Sequence, residues 1–485
     1  MAGRAARAAI PLLIPAVLFV VLLAFADHDP VRGVTASRSP FSDEAWSVMN
    51  ARNLVRLGTW APDDWHLYLV NLPFSVLEAG TFQLLGVGIV QARLVSVVAT
   101  VATAGMLAIG LRGTFGRVPA AVAAIAFATS TLVLYYGRLA LLEPLVAAAL
   151  TLAVVLATRA GGERGGRFGL LAGLALAIAI GTKPNAGFAA VGILVGVAVV
   201  GARRDPAVRR WLAGAVTGIA ACGLAWLAAF GIPHLAEVAA DVRIWPQQHL
   251  PRSLGDLFYA VAHYPFSSDG AIPAAGPLGL AGIAGLAGTA ARWRDVDPTG
   301  RRLVAAAGGW LVAGTVPLLI LSYHPNRYVM PLLPALSILL AAGLAALGPT
   351  LAGMTTLRRR AVLLTLVAAL ALPGSLAYAG WIAGSQRSLV TTQADFERLL
   401  PADAVVEGDF APLFAMTSHA RTIVAWPGAG VNAGDVYAAQ GVRWLVGAPD
   451  APPSWVTRHP AAWSGRRSLE CLTWGDDDVC LFALP

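Results

Sequence analysis

The 485-residue sequence predicts an all-α polytopic membrane protein of about eleven transmembrane helices, with a small α/β domain at its C-terminal end. Three observations predict it. Charged residues make up 13% of the chain and hydrophobic ones 57%, whereas globular domains carry about 25% charged residues. A soluble chain of this length divides into domains that each need a polar surface, and this composition does not supply one. Second, apolar runs of the length that spans a hydrocarbon core recur from the start of the chain to about residue 384. Third, the tail beyond loses these runs and alternates short β-rich pieces with helical ones.

The runs begin near Ala9, Ile89, Val118, Leu141, Phe168, Asn185, Trp211, Ile272, Leu303, Val329 and Ala361. Gly and Pro inside them do not demote them, because membrane helices tolerate both. Arginines set the orientation. Arg4 and Arg7 precede the first run, and basic clusters follow every second run: Arg112 and Arg117; Arg159, Arg164 and Arg167; Arg203, Arg204, Arg209 and Arg210; Arg292, Arg294, Arg301 and Arg302; Arg358, Arg359 and Arg360. These short basic connections are expected in the cytoplasm. The N-terminus is then inside and the C-terminal domain outside, in a multi-pass protein of the cell membrane. The first run has a second reading, as a signal peptide cleaved after Ala24-Phe25-Ala26; cleavage leaves the remaining topology unchanged.

Three long segments fall outside. The first runs from Asp27 to about Gly88. In it a helix opens at Ser42-Asp43-Glu44 and stops near Gly58. A second stretch, Trp65 to Leu85, is too interrupted by Asn71, Pro73 and Glu78 to cross. Both read as helices at the membrane interface, between residues 43 and 87. The second outer segment, Ile232 to Gly270, holds Trp245, His249, Asp256, Tyr259, His263 and Asp269. The third is residues 385–485, a separate domain after the transmembrane domain of residues 1–384. Its strands are expected at Ala404–Glu407, Arg421–Ala425, Arg443–Val446, Leu469–Trp474 and Val479–Phe482, with helices at Ala394–Leu400 and Asp435–Gln440. Cys471 and Cys480 lie on the last two strand-like pieces around a turn at Gly475–Asp478, which predicts a disulfide across a hairpin in an oxidising compartment. Cys222, inside an apolar run, reads as a small hydrophobe. No metal-ligand spacing is present. Gly276, Gly279, Gly282, Gly285 and Gly288 recur every third residue and signal close helix packing.

The net charge of +8 does not point to nucleic acid, because the arginines lie scattered between apolar runs and form no continuous patch. Several charges are nevertheless placed where topology disfavours them. Asp43 and Glu44 are adjacent acids in an outer segment. One reading is structural, with Ser42 capping the helix and the acids facing its positive end; the other is a general base at a cleft. Asp63, Asp64 and Glu78 are weaker candidates in the same segment. Arg138 and Glu143 flank an outer turn in "LYYGRLALLEP", as a structural ion pair or a substrate site. Lys183, the only lysine, lies in the outer turn "GTKPNAG", where it either snorkels or meets a phosphate. Arg327, with His324 nearby, and Arg93 are further cations on the outer side.

At these residues the chain resembles the GT-C superfamily of polyprenyl-phosphate-sugar glycosyltransferases. Within it, the sequence is similar to glycosyltransferase family 39, the protein O-mannosyltransferases, and to the related lipid A aminoarabinose transferases. The pieces that carry the resemblance occur in family order over residues 9–345: "FSDEAWSVMNARNL", "HLYLVNLPFSVLEAGTFQLLGVGIVQARLVSVV", "YYGRLALLEPLVAAALTLA", "GTKPNAGFAAVGIL" and "NRYVMPLLPALSILLAAG". The resemblance implies that Asp43 is the catalytic aspartate, with Glu44 beside it. It implies that Arg138, Lys183 and Arg327 hold the donor or its phosphate, and Glu143 stands where related sequences often have an acid; Glu143 and Arg93, the latter from its place on the outer side, are also placed as substrate-binding residues. His66 and Tyr68, in "HLYLVNLPF", are placed as substrate-binding residues, although this motif departs from the more aromatic family form and leaves sugar and acceptor open. The tail is not covered.

The implied reaction moves a hexosyl or pentosyl unit from a polyprenyl-phosphate carrier to a hydroxyl of a glycan, lipid or protein acceptor outside the cytoplasm, with inversion. No resident cofactor or metal is expected; the lipid-linked sugar is the donor substrate, and partners are membrane lipid, donor and acceptor. The rival reading is a transporter or lipid flippase. Such proteins carry ionisable residues near the midplane or paired broken helices in repeated halves, and this sequence shows neither pattern.

Overall fold

A computed structural model describes residues 2–31, 42–161, 163–203, 205–240, 250–251, 253–265, 271–321, 325–425, 431–474 and 477–485. Helix α1 (Ala2–Ala24) is followed by the two helices expected at the interface, α2 (Asp43–Leu57) and α3 (Leu72–Leu85). The bundle continues with α4 (Ile89–Gly110), α5 (Arg117–Ala128), α6 (Leu142–Ala157), α7 (Gly165–Thr182), α8 (Ala186–Val197) and α9 (Pro206–Trp226). Then come α10 (Leu254–His263), α11 (Ala271–Ala291), α12 (Pro298–Ile320), α13 (Leu333–Ala346) and α14 (Thr356–Gly384). The C-terminal domain opens with α15 (Ser388–Leu399).

Seven helices among the described residues are long and apolar enough to cross a membrane. The four remaining expected runs fall on shorter apolar helices, Leu12–Ala24, Arg117–Ala128, Leu142–Ala157 and Ala186–Ala202. The third run is short because the helix breaks at Thr129–Ser130 and resumes as Thr131–Tyr136. Gly374 of α14 crosses at that break, where a Cβ would stand 1.9 Å from the Thr129 carbonyl oxygen. The α13 span is 83% buried and sits at the centre of the bundle, whereas the span of α9 is 11% buried and presents its apolar side chains outward, as lipid contact requires. Helix α3, at 14 residues, is about 21 Å long and too short to cross.

The glycines of α11 divide by direction. Gly282 and Gly285 meet α13, where added Cβ atoms would lie 2.8 Å and 2.4 Å from the Leu336 and Leu339 carbonyl oxygens, and Gly276 kinks the helix at φ +55°. A three-residue repeat drifts around a helix of 3.6 residues per turn, so only part of the series reaches one neighbour.

The C-terminal domain holds a five-stranded sheet in the order β2-β1-β3-β5-β4. Strands β1 (Val405–Glu407), β2 (Arg421–Ile423) and β3 (Trp444–Gly447) are parallel, and β4 (Arg467–Trp474) and β5 (Asp477–Ala483) form an antiparallel hairpin against β3. Cys471 and Cys480 are register partners on that hairpin and are joined by a disulfide. The turn expected at Gly475–Asp478 begins outside the described residues, and its last two positions belong to β5. Cys222 is a free, partly buried thiol. Of the second outer segment, residues 241–249, 252 and 266–270 lie outside the described residues, taking Trp245, His249 and Asp269 with them, as does His324.

Candidate active site

At the end of the bundle that carries the C-terminal domain, four helix ends converge. Asp43 and Glu44 open α2. Glu143 is the second residue of α6, and Lys183 caps the C-terminus of α7, the helix packed beside it. Each charge suits the helix end it occupies, the acid at a positive end and the cation at a negative one. Arg327 and Tyr328 lie on the 3-10 turn Asn326–Leu332 that leads into α13.

These residues form one chain of charges. Lys183 Nζ donates to Glu143 Oε1 at 2.6 Å and sits 3.6 Å from the centre of the Tyr328 ring. Arg327 places Nη2 2.9 Å from Asp43 Oδ2 and Nε 3.7 Å from Glu143 Oε1. The side chains of Glu143, Arg327 and Lys183 are nearly buried, at 2%, 8% and 11% exposure, whereas Asp43 retains 28%. Asp43 is therefore the member that a solvent-borne group can reach. A narrow cleft of about 30 Å³ adjoins this cluster between α6, α8 and α12. Glu143, Lys183, Asn185 and Tyr328 are among its polar lining, and Leu150, Leu318 and Trp310 among its apolar lining. The buried indole Nε1 of Trp310 has no partner among the described residues.

The structure separates the remaining expected site residues from this chain. Glu44 is fully buried in a two-bond pair with Arg93, whose Nε and Nη2 each lie 2.8 Å from a carboxylate oxygen, and it also accepts from the Ala140 N–H at 2.9 Å. Arg93 Nη1 donates to the carbonyls of Ala26 and His28, both at 2.7 Å. Arg138 donates to the carbonyls of Phe25, His28 and Asp29 and stacks over Trp381 at 4.3 Å. Glu44, Arg93 and Arg138 thus hold the exit of α1 and the start of α2 through protein contacts. Cleavage after Ala26 would remove carbonyls that both arginines use. The ion pair expected between Arg138 and Glu143 is not formed either, because Glu143 is taken by Lys183 and Arg327. Lys183 does not snorkel; its ammonium is held between a carboxylate and a ring.

Ser42 makes no side-chain cap on α2, since its backbone is already helical (φ −66°, ψ −23°) and a capping hydroxyl needs an extended residue. Tyr68 is buried, stacks on Trp60 at 5.3 Å and donates its backbone N–H to Asn50 Oδ1. His66 and His234 flank it, each 6.5 Å away. Among the described residues no hydrogen bond or ion pair joins His66 or Tyr68 to Asp43, Arg327, Glu143 or Lys183. Glu78 is fully buried on α3 with neither oxygen partnered among the described residues, and burial pushes its carboxyl well above the usual range. Reading the sequence missed Tyr328 and Trp310. Tyr328 adjoins an arginine already singled out, but nothing in the sequence distinguishes Trp310 from the other tryptophans of the chain.

Residues 74–228 match the family described as dolichyl-phosphate-mannose-protein mannosyltransferase. ArnT from Cupriavidus metallidurans, solved bound to undecaprenyl phosphate, superposes with a TM-score of 0.64 at 17% identity, covering 97% of each chain. This is the GT-C fold. The archaeal oligosaccharyltransferase AglB from Archaeoglobus fulgidus, in complex with an inhibitory peptide and a dolichol-phosphate, matches with a TM-score of 0.56 at 12% identity, over 92% of this chain and 70% of its own. The arabinofuranosyltransferase AftD from Mycobacteria matches at 0.55 and 18% identity, over 98% of this chain and 41% of its own. No curated protein matches the chain in sequence. The GT-C likeness runs through the C-terminal domain as well as the bundle, since nearly the whole chain is covered.

Proposed function

We propose that the protein is a membrane glycosyltransferase that moves a sugar from a polyprenyl-phosphate carrier to an acceptor hydroxyl on the extracytoplasmic side, with inversion and with Asp43 as general base. The observation that carries the reading is the Asp43–Arg327–Glu143–Lys183 chain at the mouth of a cleft in a GT-C fold. The acceptor oxygen forms its bond to the anomeric carbon as the bond from that carbon to the phosphate oxygen breaks. Asp43 takes the acceptor proton, and the lipid phosphate leaves as an anion. Lys183 and Arg327 stabilise the charge that gathers on it, so no acid catalyst is required, and the reaction asks for no resident cofactor or metal. Glu143 holds both cations in place. The transition state is oxocarbenium-like, as in other displacements at an anomeric carbon.

The orientation is part of the same reading. Arg292 and Arg302 lie at the end of the bundle opposite the C-terminal domain, Arg292 donating to the Ala346 carbonyl and Arg302 facing Asp205 at 3.9 Å. Basic residues gather on the cytoplasmic side, which supports the reading of Asp43 and the C-terminal domain as extracytoplasmic.

The experiment is transfer from radiolabelled polyprenyl-phosphate sugars by the purified protein in lipid. Asp43→Asn should lower turnover by roughly 10²–10⁴ while donor binding persists. Near-normal turnover in the variant would reduce Asp43 to a partner of Arg327.

A further inference from the structure

Helix α2 carries Asp43 at its first position, and two buried guanidinium clusters are chief among the contacts that hold it. The first is the Glu44–Arg93 pair, with the Ala140 N–H. The second is Arg52, which is fully buried and has no ion pair with a carboxylate among the described residues. A loop of the C-terminal domain closes around it instead. Arg52 Nε donates to Met416 O at 2.8 Å, and Nη2 to the carbonyls of Ala415, Ser418 and Ala420 at 3.0, 2.8 and 2.8 Å. Nη1 donates to Asn53 Oδ1 at 3.2 Å. Further contacts run along the same helix. Trp46 Nε1 donates to Asp409 O at 2.9 Å, and Arg56 Nη2 to Thr417 O at 2.9 Å.

We propose that Arg52 is a positioning residue for Asp43, through which the C-terminal domain sets the orientation of α2 at the reacting centre. The proposal rests on the reading of Asp43 as the base. A single anchor fixes a point on a helix and leaves its direction free; a second one fixes the direction. Arg52 lies eight residues beyond Glu44, about 12 Å along the axis. A play of about 0.3 Å in its hydrogen bonds allows roughly 1.5° of tilt. With a lever of about 7 Å between neighbouring side-chain ends on a helix, this tilt moves the Asp43 carboxylate by only about 0.2 Å. With the Arg52 cluster gone, only the outer bonds of Trp46 and Arg56 tie α2 to that domain, and a tilt of about 8° would carry the Asp43 carboxylate about 1 Å, a displacement that costs on the order of 100-fold in rate.

The experiment is a double-mutant cycle in the full-length protein in lipid, using radiolabelled polyprenyl-phosphate sugar, with amide hydrogen exchange on the same samples. Arg52→Met should lower kcat about 10- to 100-fold, with donor KM changed less than about twofold. In the Asp43→Asn background the same substitution should change the residual rate less than about twofold, because a base that is absent cannot be misplaced. Exchange in residues 43–47 should rise with that in residues 415–420. Equal losses in both backgrounds would make Arg52 a stabiliser of folded protein only and overturn the proposal, as would full turnover by Arg52→Met. If the wild-type protein transfers no sugar, the glycosyltransferase reading fails by itself. The exchange data then still decide whether Arg52 holds the Asp43 turn, and unchanged protection there would overturn that too.

Discussion

Lys183 has two possible employments that the structure makes separable. Its ammonium is 2.6 Å from Glu143 Oε1 and almost buried, beside a carboxylate that is 2% exposed. If it serves only to neutralise Glu143, Lys183→Met should destabilise the protein by less than the roughly 3–5 kcal/mol that stranding one partner of a buried pair costs, because Arg327 Nε stays 3.7 Å from Glu143 Oε1. If it also meets the donor phosphate, the variant loses in addition a charge-assisted hydrogen bond of about 1.5–3 kcal/mol, which is about 10- to 150-fold in donor affinity. The discriminating perturbation is the double variant Lys183→Met, Glu143→Gln, in which no charge is left unpaired at this position. It should regain most of the lost thermal stability, because Arg327 retains Asp43 at 2.9 Å. It should not regain donor binding. Titration of undecaprenyl phosphate into the protein in nanodiscs, alongside thermal unfolding, reads both quantities. Wild-type affinity in the double variant would refute the phosphate assignment and leave Lys183 as the counter-ion of Glu143.

The other predictions concern scaffold and tail. Glu44→Ala strands a fully buried Arg93 and should destabilise the protein by about 3–5 kcal/mol, with Glu44→Gln milder because an amide oxygen can still accept from Ala140; thermal unfolding in detergent ranks the two. Reducing Cys471–Cys480, which closes a loop of sequence separation 9, should cost at most about 2.5 kcal/mol and be visible by intact mass with thiol alkylation; wild-type stability after full reduction would show that the hairpin needs no bridge. Glu407, buried beneath Trp455 in the C-terminal domain, has its carboxyl pushed up to about 7 by desolvation. Between its unfolded value of 4.5 and about 7 the unfolded chain ionises while the folded one does not, so stability falls as pH rises through that window, by about 3 kcal/mol in all. Glu407→Gln should flatten this slope in limited proteolysis of the full-length protein between pH 5 and 8, and an unchanged slope would assign it to another group.

The bundle and the tail were legible for different reasons. Lipid demands long apolar helices, so each expected run falls on an apolar helix, and what escapes composition is where a helix stops. The break at Thr129–Ser130 depends on Gly374, more than 240 residues away in sequence, and no local pattern announces it. In the tail, β-branched runs and turn residues give strand positions to within a few residues. The strand order, with β5 between β3 and β4, is a long-range property that such runs do not carry. The candidate site was legible as a set of residue types in improbable places. Its pairings were not, because an arginine's partner depends on which loops return to it. Arg52 shows this most sharply: it reads as an ordinary residue of a surface helix, yet its guanidinium is enclosed by carbonyls from more than 360 residues further along the chain.

The cations that violate the expected charge distribution separate into two kinds once their partners are known. Arg138 directs its donors at backbone carbonyls just after α1, where the last carbonyls of a helix and its exit turn lack intrahelical partners, and Arg93 divides its donors between such carbonyls and the Glu44 carboxylate, a pair sealed from any open space. Lys183 and Arg327 face carboxylates, and Lys183 also lines the cleft. A cation held by neutral carbonyls fixes backbone and has no reason to let go. One held by a carboxylate can exchange that partner for another anion, because the exchange replaces one charge-assisted contact with one of the same kind. An unexpected charge in a membrane protein therefore marks a buried partner first, and a ligand site only where that partner is itself an anion beside open space. By that criterion the phosphate site proposed above belongs on the chain from Asp43 to Lys183, and the arginines behind it hold the helix ends that carry the chain.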